Sequence, residues 1–397
     1  MKRCSLVLVL LGLCGTTLAQ QPVDEPPWAQ GRPHTDIAMS MAPAAPASAP
    51  TAADQLPVDK IRLPPGFKAE VWASGVLDAR GMRQGDKGTL FVSSMSAGTV
   101  YAVVDNGDER EVRLVAAGLT QPNGIEFNKG SLYVAAGRTI TRYDNIEADL
   151  DHVPAPVTVY DKLPDNPVHG GRFLKIGPDG RLYVSIGAPC NVCEPGAASA
   201  SIIRMRLDGT GVETMVSGVR NSVGFDFDPN NGDLWFTDNG RDWLSEDLPN
   251  DTLNHVSEPG RNFGFPYCDQ GDLADPEFGW GKTCSDYAQP SQLMGPHAGV
   301  LGMRFYGGTM FPPKYRGAMF IARHGPWNRT KKYAADIVVA WPDARGGITK
   351  MEPFLSGLVE NNDYLGRPVD VLVMKDGSLL VSDDHNGAIY RISYSRP

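Results

Sequence analysis

The chain of 397 residues is short of cysteine, of positive charge and, after its first 20 residues, of long hydrophobic runs. Its 37 lysines and arginines are outnumbered by 46 aspartates and glutamates, which gives a formal net charge of −9. An acidic surface argues against nucleic acid as a partner, although it leaves room for a locally basic pocket. No later run is long enough to cross a bilayer as a helix, so we expect no transmembrane segment.

The N-terminus has the features of an export signal. Met1-Lys2-Arg3 precedes an apolar run over residues 6–13, and Thr17-Leu18-Ala19 resembles a signal-peptidase site. Residues 1–19 are therefore predicted to be a cleaved signal peptide, and the mature protein is expected to be periplasmic or secreted. A lipid anchor on Cys14 is the alternative, which the bulky Leu13 before it disfavours.

The mature chain divides into two parts by composition. Residues 20–57 are rich in proline and alanine, which predicts a disordered linker without packing duties. Residues 58–397 are expected to form one folded domain, because about 42% of the chain is apolar and a repeat fold can absorb this length.

Export would leave four cysteines, an even number that predicts two disulfides in an oxidising compartment. We expect Cys268 to pair with Cys284 and Cys190 to pair with Cys193. A redox or zinc motif at Cys190-Asn191-Val192-Cys193 is the alternative, but no βαβ pattern or second thiol pair supports it. Glu194 stands where a c-type haem motif requires histidine, so this segment does not attach haem.

One short phrase, a turn residue followed by a β-rich apolar run, recurs six times. Steps of roughly 40 to 85 residues between copies fit one four-stranded blade per repeat. The sequence therefore predicts an all-β fold, a six-bladed β-propeller. We expect the last strand, around residues 388–392, to pair with an N-terminal strand around residues 68–72 and so close the ring. The copies lie at residues 88–92, 131–134, 180–184, 232–236, 317–321 and 377–381.

A second recurring phrase places a polar residue just before an apolar or small stretch in most repeats. The innermost strands of a propeller begin near its axis, so these polar residues should converge at one mouth of the channel. Arginine is suited to bidentate carboxylate recognition, and several arginines there imply a small, planar polyanion. The alternative is that each arginine pairs with a nearby acid and ties two blades together. The residues are Arg80, Asn123, His169, Arg220 with Asn221, Arg367 and, in the less clear fifth repeat, His297.

Two loops add candidate ligands. Asp238-Asn239-Gly240-Arg241-Asp242-Trp243 is rich in oxygen donors and could serve a hard cation such as Ca²⁺, although such runs are more often simple turns. The segment Arg323-His324-Gly325-Pro326-Trp327-Asn328-Arg329 offers a second histidine and a flat aromatic surface. Its alternative interpretation is a surface loop with a packed tryptophan.

Over residues 60–395 the chain resembles the soluble quinoprotein sugar dehydrogenases, in particular the glucose/sorbosone dehydrogenase branch that binds pyrroloquinoline quinone (PQQ). The resemblance implies a six-bladed propeller with PQQ on its axis and a Ca²⁺ held partly by backbone carbonyls. It is carried by His169-Gly170-Gly171-Arg172-Phe173, by Gly218-Val219-Arg220-Asn221-Ser222-Val223-Gly224, by Thr237-Asp238-Asn239-Gly240-Arg241-Asp242, by His324-Gly325-Pro326-Trp327-Asn328-Arg329 and by Gly366-Arg367-Pro368-Val369-Asp370-Val371.

The resemblance also implies roles. His169 would be the general base that takes the proton of the sugar hydroxyl while a hydride passes to the quinone. Arg220 and Asn221 would lie against the quinone oxygens and stabilise negative charge. The carbonyls of Gly240 and Arg241 would hold the Ca²⁺, a Lewis acid. The residues implied to bind the rest of the cofactor are Arg80, His324, Trp327, Asn328 and Arg367.

The chain departs from the family pattern where the glucose-oxidising members carry an aspartate that orients the catalytic histidine. Gly187-Ala188-Pro189-Cys190 occupies that stretch, so the sequence does not identify the residue that orients His169. His324 and Val369 stand where the family has a lysine and a second arginine on the cofactor. The resemblance therefore does not imply glucose itself as the substrate.

Three functions follow from these observations. The first is a dehydrogenase of an aldose or a sugar aldehyde such as sorbosone, which passes electrons to a separate cytochrome c or quinone because the chain lacks a haem motif. The second is a Ca²⁺-dependent lactonase, which would need carboxylates converging on an axial metal. The third is a non-catalytic binding propeller, which gives no reason for arginine at several strand starts.

Overall fold

A computed structural model describes residues 48–107 and 109–395. The predicted signal peptide, and the predicted linker up to residue 47, lie outside the described residues. Within the described part, no helix is long and apolar enough to cross a membrane. The helices there are short 3₁₀ turns, at Ala53–Gln55, Val58–Lys60, Ile146–Ala148, Cys284–Asp286 and Pro313–Tyr315.

The protein is a six-bladed β-propeller, as the repeats predict. Each blade is an antiparallel sheet, and its innermost strand is named first below. Blade 1 contains Ala79–Gln84, Leu90–Ser94, Thr99–Asp105 and Arg110–Ala116; blade 2 contains Gly124–Asn128, Ser131–Ala136, Thr139–Tyr143 and Val157–Tyr160. Blade 3 contains Leu174–Ile176, Leu182–Ile186, Ser201–Met205 and Glu213–Ser217, with Arg261–Asn262 added in parallel at its edge.

The remaining blades follow the same order. Blade 4 contains Gly224–Phe227, Leu234–Asp238, Asn250–Val256 and Gln292–Pro296; blade 5 contains Val300–Phe305, Met319–Arg323, Asp336–Pro342 and Ile348–Leu355. Blade 6 contains Pro368–Val373, Leu379–Asp383, Ala388–Tyr394 and, outermost, Phe67–Ala73. Two small hairpins pair Cys268–Asp269 with Leu273–Ala274 and Val359–Glu360 with Asp363–Tyr364.

The ring closes between the two ends of the domain. Phe67–Ala73 pairs antiparallel with Ala388–Tyr394, with Glu70 opposite Arg391, which confirms the predicted closure. The ring of Phe67 packs edge-on against Phe311 and Phe354, with centroids 4.8 and 5.0 Å away. This contact anchors the first strand in the apolar layer between blades 5 and 6, and the strand covers the edge that Ala388–Tyr394 would otherwise present.

The folded part begins earlier than the predicted start at residue 58. Thr51 donates its backbone N–H to the Asn386 carbonyl at 2.9 Å, and Leu56 is buried against Ala388 and Tyr390. Thr51 and Leu56, which composition assigned to the linker, therefore contact blade 6. The composition of a segment rich in proline and alanine does not show that one leucine within it, Leu56, is buried.

A ring of alternating charges fills the channel below the mouth, with one residue from the innermost strand of each blade. Asp370 lies 3.7 Å from Arg83 and 3.2 Å from Arg304, Glu126 lies 3.2 Å from Arg83, and Lys175 lies 3.2 Å from Asp226. Each carboxylate also accepts a backbone N–H from the innermost strand of the following blade. In blade order the ring is Arg83, Glu126, Lys175, Asp226, Arg304 and Asp370, and the three N–H donors are Ile176, Phe305 and Met82.

Both predicted disulfides are present. Cys268 bonds Cys284, and Cys190 bonds Cys193 within one loop. The bonded pair leaves no thiolate at Cys190 or Cys193 to bind zinc, and the disulfide lies beside the mouth of the channel.

Candidate active site

A solvent-connected cavity of about 180 Å³ lies at the mouth of the propeller. Residues that are far apart in the sequence meet in this cavity, because the chain enters the innermost strands of blades 3 to 6 at this end of the propeller. Of the ten predicted site residues, eight line it: His169, Arg220, Asn221, Gly240, His324, Trp327, Asn328 and Arg367. His297, the candidate from the fifth repeat, lines it as well.

His169 is held in one orientation by a backbone carbonyl. Its Nδ1 lies 2.7 Å from the Ala188 oxygen, and its backbone N–H donates to Asn166 Oδ1 at 3.0 Å. A carbonyl only accepts, so Nδ1 carries the proton and Nε2 keeps its lone pair. Burial, assisted by the positive charge of Arg220, lowers the pKa of His169 to about 3, so the imidazole is neutral at physiological pH.

The Ala188 carbonyl therefore replaces the aspartate that the sequence lacks. Asn166 fixes this carbonyl, since its Nδ2 donates to the oxygens of both Gly187 and Ala188, at 2.7 and 2.9 Å. Gly187 is needed at its position because a Cβ there would lie 2.5 Å from the Cβ of His169. No sequence motif identifies a backbone carbonyl that accepts a hydrogen bond in this way.

Arg220 is buried at the cavity and surrounded by acceptors. Its guanidinium donates to the carbonyl and side-chain oxygens of Asn191, at 2.8 and 2.9 Å, and to Asp242 Oδ2 at 2.8 Å. A fourth bond reaches the Asn239 carbonyl at 3.2 Å. The alternative of an arginine paired with its own acid is thus partly correct here, although Arg220 still faces the cavity.

Arg80 does not line the cavity, contrary to the convergence expected from the repeats. Its Nη1 lies 2.5 Å from Asp384 Oδ2, and Asp384 Oδ1 lies 2.8 Å from Nε2 of His324. Burial would raise the pKa of Asp384, but the charges of His324, Arg80 and Arg367 hold it below its usual value. Asp384 thus stands between Arg80 and the cavity and neutralises the arginine, a partner that the repeat alignment could not reveal.

Arg367, Trp327 and Asn328 form the other side of the cavity. Arg367 donates to the carbonyls of His324 and Gly325, at 3.2 and 2.7 Å, and pairs with no carboxylate side chain in the described chain. Trp327 is 49% exposed and packs edge-on against Trp243, with ring centroids 5.2 Å apart. Asn328 donates to Asp242 Oδ1 at 2.7 Å, and its buried Oδ1 has no partner within the described residues.

The loop after the second strand of blade 4 carries both predicted metal ligands, Gly240 and Arg241. Gly240 lines the cavity, and its N–H donates to Asp251 Oδ1 at 2.9 Å. The side chain of Arg241 turns away and pairs with Asp275 and Glu277, at 2.7 and 2.9 Å. The prediction for Arg241 concerned its carbonyl, so this side-chain pairing leaves it open. No cluster of three acidic, histidine or cysteine side chains suited to a metal occurs among the described residues.

Several buried residues of the site escaped the sequence analysis. Asp251 lines the cavity, whereas Asn166, Asn191 and Asp384 support it from behind. Asp384 follows the second strand of blade 6 directly, as Asn239 follows that of blade 4. A comparison of the residues after each recurring strand, rather than before it, would have found this pair.

The chain belongs to the family described as TrAA12-like, whose model matches residues 61–395. An uncharacterized protein of Borreliella burgdorferi is 31% identical over 361 residues, covering 85% of this chain and 91% of its own. The family model and this match relate the chain to its family by sequence. Similar solved structures share only 17–20% identity with it and therefore show the fold alone.

Among solved structures, a calcium structure of Trichoderma reesei Carbohydrate-Active Enzymes Family AA12 superimposes with a TM-score of 0.72 at 20% identity, covering 88% of this chain and 99% of its own. The holo form of the pyranose dehydrogenase PQQ domain from Coprinopsis cinerea gives 0.70 at 17% identity, over 89% and 99% of the two chains. The PQQ-bound aldose sugar dehydrogenase of Streptomyces coelicolor gives 0.62 at 18% identity, over 84% and 100%.

Proposed function

We propose that this protein is a PQQ- and Ca²⁺-dependent dehydrogenase that oxidises an aldose or a sugar aldehyde, such as sorbosone, in the periplasm or outside the cell. One observation carries the proposal. His169, held neutral with its Nε2 lone pair free by the Ala188 carbonyl, shares an axial cavity with Arg220 and Arg367. A neutral imidazole beside two guanidiniums suits proton abstraction next to a bound polyanion.

The residues of the cavity fit a flat anionic cofactor. Arg367 bonds two backbone carbonyls, lies over the Tyr364 ring and forms no ion pair with a carboxylate among the described residues, so its charge is available to a carboxylate of the ligand. Trp327 offers a half-exposed aromatic face, and the buried Asn328 Oδ1 accepts from a ligand N–H or O–H. Burial of such an acceptor without a partner is costly, which favours a ligand that donates to it.

A Ca²⁺ would be held at the Gly240 end of the cavity. Side-chain carboxylates alone do not form a cage within the described residues, so the carbonyls of Gly240 and Arg241 and oxygens of the cofactor would complete the coordination. Asp251 accepts the N–H groups of Gly240 and Gly299, at 2.9 and 2.7 Å, and orients this loop. The ion would supply a Lewis acid.

The protein's part in the reaction follows from these positions. When bound, PQQ supplies the acceptor for the two electrons that leave the sugar carbon as hydride. Nε2 of His169 takes the hydroxyl proton, so that the substrate loses a hydride and a proton in total. Arg220 and Asn221 stabilise negative charge that develops in the cavity. A separate cytochrome c or quinone would accept the electrons.

The related proteins support this assignment. The Coprinopsis cinerea structure is of a PQQ domain, and the Streptomyces coelicolor structure is of a PQQ-bound aldose sugar dehydrogenase. The Trichoderma reesei structure is a calcium structure of a carbohydrate-active enzyme. Nothing comparable favours the lactonase, which would need carboxylates converging on a metal, and the described residues contain no such cluster.

Reconstitution tests the proposal. The purified protein would be titrated with PQQ in the presence of Ca²⁺, following tryptophan quenching, and then assayed for dye reduction over a panel of aldoses and sugar aldehydes. We expect saturable binding and sugar-dependent reduction that His169→Ala abolishes. Absence of PQQ binding would favour the binding-propeller alternative, and undiminished activity in His169→Ala would remove this residue from the role of base.

A further inference from the structure

Asn191, at the centre of the Cys190–Cys193 loop, makes an unusually complete set of contacts. The residue is fully buried, and its carbonyl and Oδ1 accept Nε and Nη2 of Arg220, at 2.8 and 2.9 Å. Its Oδ1 also accepts the Asp242 N–H at 2.7 Å, and its Nδ2 donates to the Asp242 carbonyl at 3.1 Å. Asn191 therefore links Arg220 to the backbone of the loop after blade 4's second strand.

These contacts fix both the amide and the guanidinium. An amide flip would place Nδ2 against Arg220 Nη2 and the Asp242 N–H, where three donors would meet, so only one orientation is compatible with the site. Four of the five N–H groups of Arg220 have partners, and the fifth is on Nη1. Asn191 thus decides where the remaining donor of Arg220 points.

The same loop reaches the general base. Ala188, three residues before Asn191, accepts Nδ1 of His169, and its own N–H donates to the Arg220 carbonyl at 2.7 Å. The disulfide closes a four-residue ring around Asn191 and limits the conformations open to it. One short segment, residues 187–193, therefore contacts both residues that the proposed chemistry requires.

We propose that Asn191 is a positioning residue, held by the Cys190–Cys193 disulfide, that fixes the guanidinium of Arg220 beside His169. The proposal deepens the proposed function, on which its relevance to catalysis rests. Asn191 acts on the charge around His169 through Arg220, and this effect is present in the protein before any cofactor binds. It therefore has a readout of its own.

The test compares the full oxidised chain with its Asn191→Ala variant. The titration of His169 would be followed by NMR of its imidazole in the protein without cofactor, assigned with His169→Gln. We expect the variant to bind the imidazole proton at least about tenfold more tightly, because the loss of Oδ1 removes one bond from Arg220 and one from the Asp242 N–H, so that the guanidinium and its charge move away from His169. Affinity for PQQ should fall by about tenfold or more, since the guanidinium of Arg220 is no longer held in one orientation toward the cavity. A folded variant whose titration and PQQ affinity both match the unchanged chain overturns the proposal.

Cysteine variants decide the matter if Asn191→Ala does not fold. Cys190→Ser with Cys193→Ser should shift the His169 titration in the same direction. The matched control, Cys268→Ser with Cys284→Ser, also loses one disulfide and should leave the titration unchanged. Equal titrations in the two double variants overturn the proposal. If the unchanged chain does not bind PQQ, the proposed function fails, whereas the His169 titration still tests Asn191.

Discussion

The Nδ1 atom of His169 lies 2.7 Å from the carbonyl oxygen of Ala188. A carbonyl orients the imidazole as an aspartate would, but it brings no negative charge. An aspartate raises the pKa of the histidine that it contacts, whereas here burial and Arg220 dominate and the pKa is about 3. The substitution of a carbonyl for a carboxylate thus yields a weaker base that is neutral over a wider pH range.

This predicts an activity that persists into mildly acidic solution. In the proposed mechanism the neutral imidazole of His169 is the active form, and it is lost only as the pH falls through the lowered pKa. We therefore expect kcat/KM of the PQQ-loaded enzyme to show an acid limb below 6.5, the ordinary value for histidine. The pH–rate profile would be measured with the preferred sugar at constant ionic strength. An acid limb at or above 6.5 that depends on His169 contradicts the prediction.

The ring of charges in the channel predicts a large effect of one buried carboxylate on stability. Asp370→Asn would leave Arg83 and Arg304 without their shared partner in a buried site, and such losses cost about 3–5 kcal/mol. The free energy of unfolding would be measured by urea denaturation. Glu360→Gln is the control, because it breaks an exposed pair with Lys60 worth about 0–1 kcal/mol. Equal losses in the two variants would argue that the ring does not hold the blades.

The fold could be predicted because its signal is local and repeated. All six copies of the recurring phrase coincide with the second strand of a blade, and the ends pair as expected. The cavity could be predicted in outline, since polar residues just before the innermost strands meet there. Arg80 shows the limit of this reasoning. A strand start gives a position near the axis, but a neighbouring carboxylate decides whether the side chain reaches the ligand.

The contacts that could not be predicted are those made by backbone atoms and by loops between blades. The Ala188 carbonyl and the amide of Asn191 have no side-chain pattern that marks them. Asp384 and His324 lie 60 residues apart in sequence and meet only because blades 5 and 6 are adjacent. Their pairing depends on side-chain direction at the end of a strand, which repeat spacing does not specify.

The different places of Arg367 and Arg80 predict different effects on cofactor affinity. Arg367→Met removes a guanidinium that lines the cavity, so we expect PQQ affinity to fall by roughly 10- to 100-fold, the usual value of a charge-assisted hydrogen bond. Arg80→Met removes a guanidinium that does not line the cavity but pairs with Asp384, which in turn contacts His324 in the cavity wall. Its effect on PQQ affinity should therefore be indirect and smaller. Fluorescence titration with PQQ at fixed Ca²⁺ measures both. A larger loss in Arg80→Met would restore Arg80 as a direct ligand.

The loop at Gly240 predicts that calcium and Asp251 act together. Chelation of Ca²⁺ should abolish PQQ-dependent dye reduction, and added Ca²⁺ should restore it, because the proposed carbonyl ligands alone do not replace the ion's charge.

Asp251→Asn would keep the shape of the side chain but weaken its hold on the N–H groups of Gly240 and Gly299. We expect the variant to need at least about tenfold more Ca²⁺ for half-maximal activity, since charged acceptors bind N–H groups more strongly than neutral ones. The Ca²⁺ titration of activity measures this, with Asn106→Asp, at an exposed turn, as the control. An Asp251→Asn enzyme with an unchanged Ca²⁺ requirement would place the ion elsewhere in the cavity.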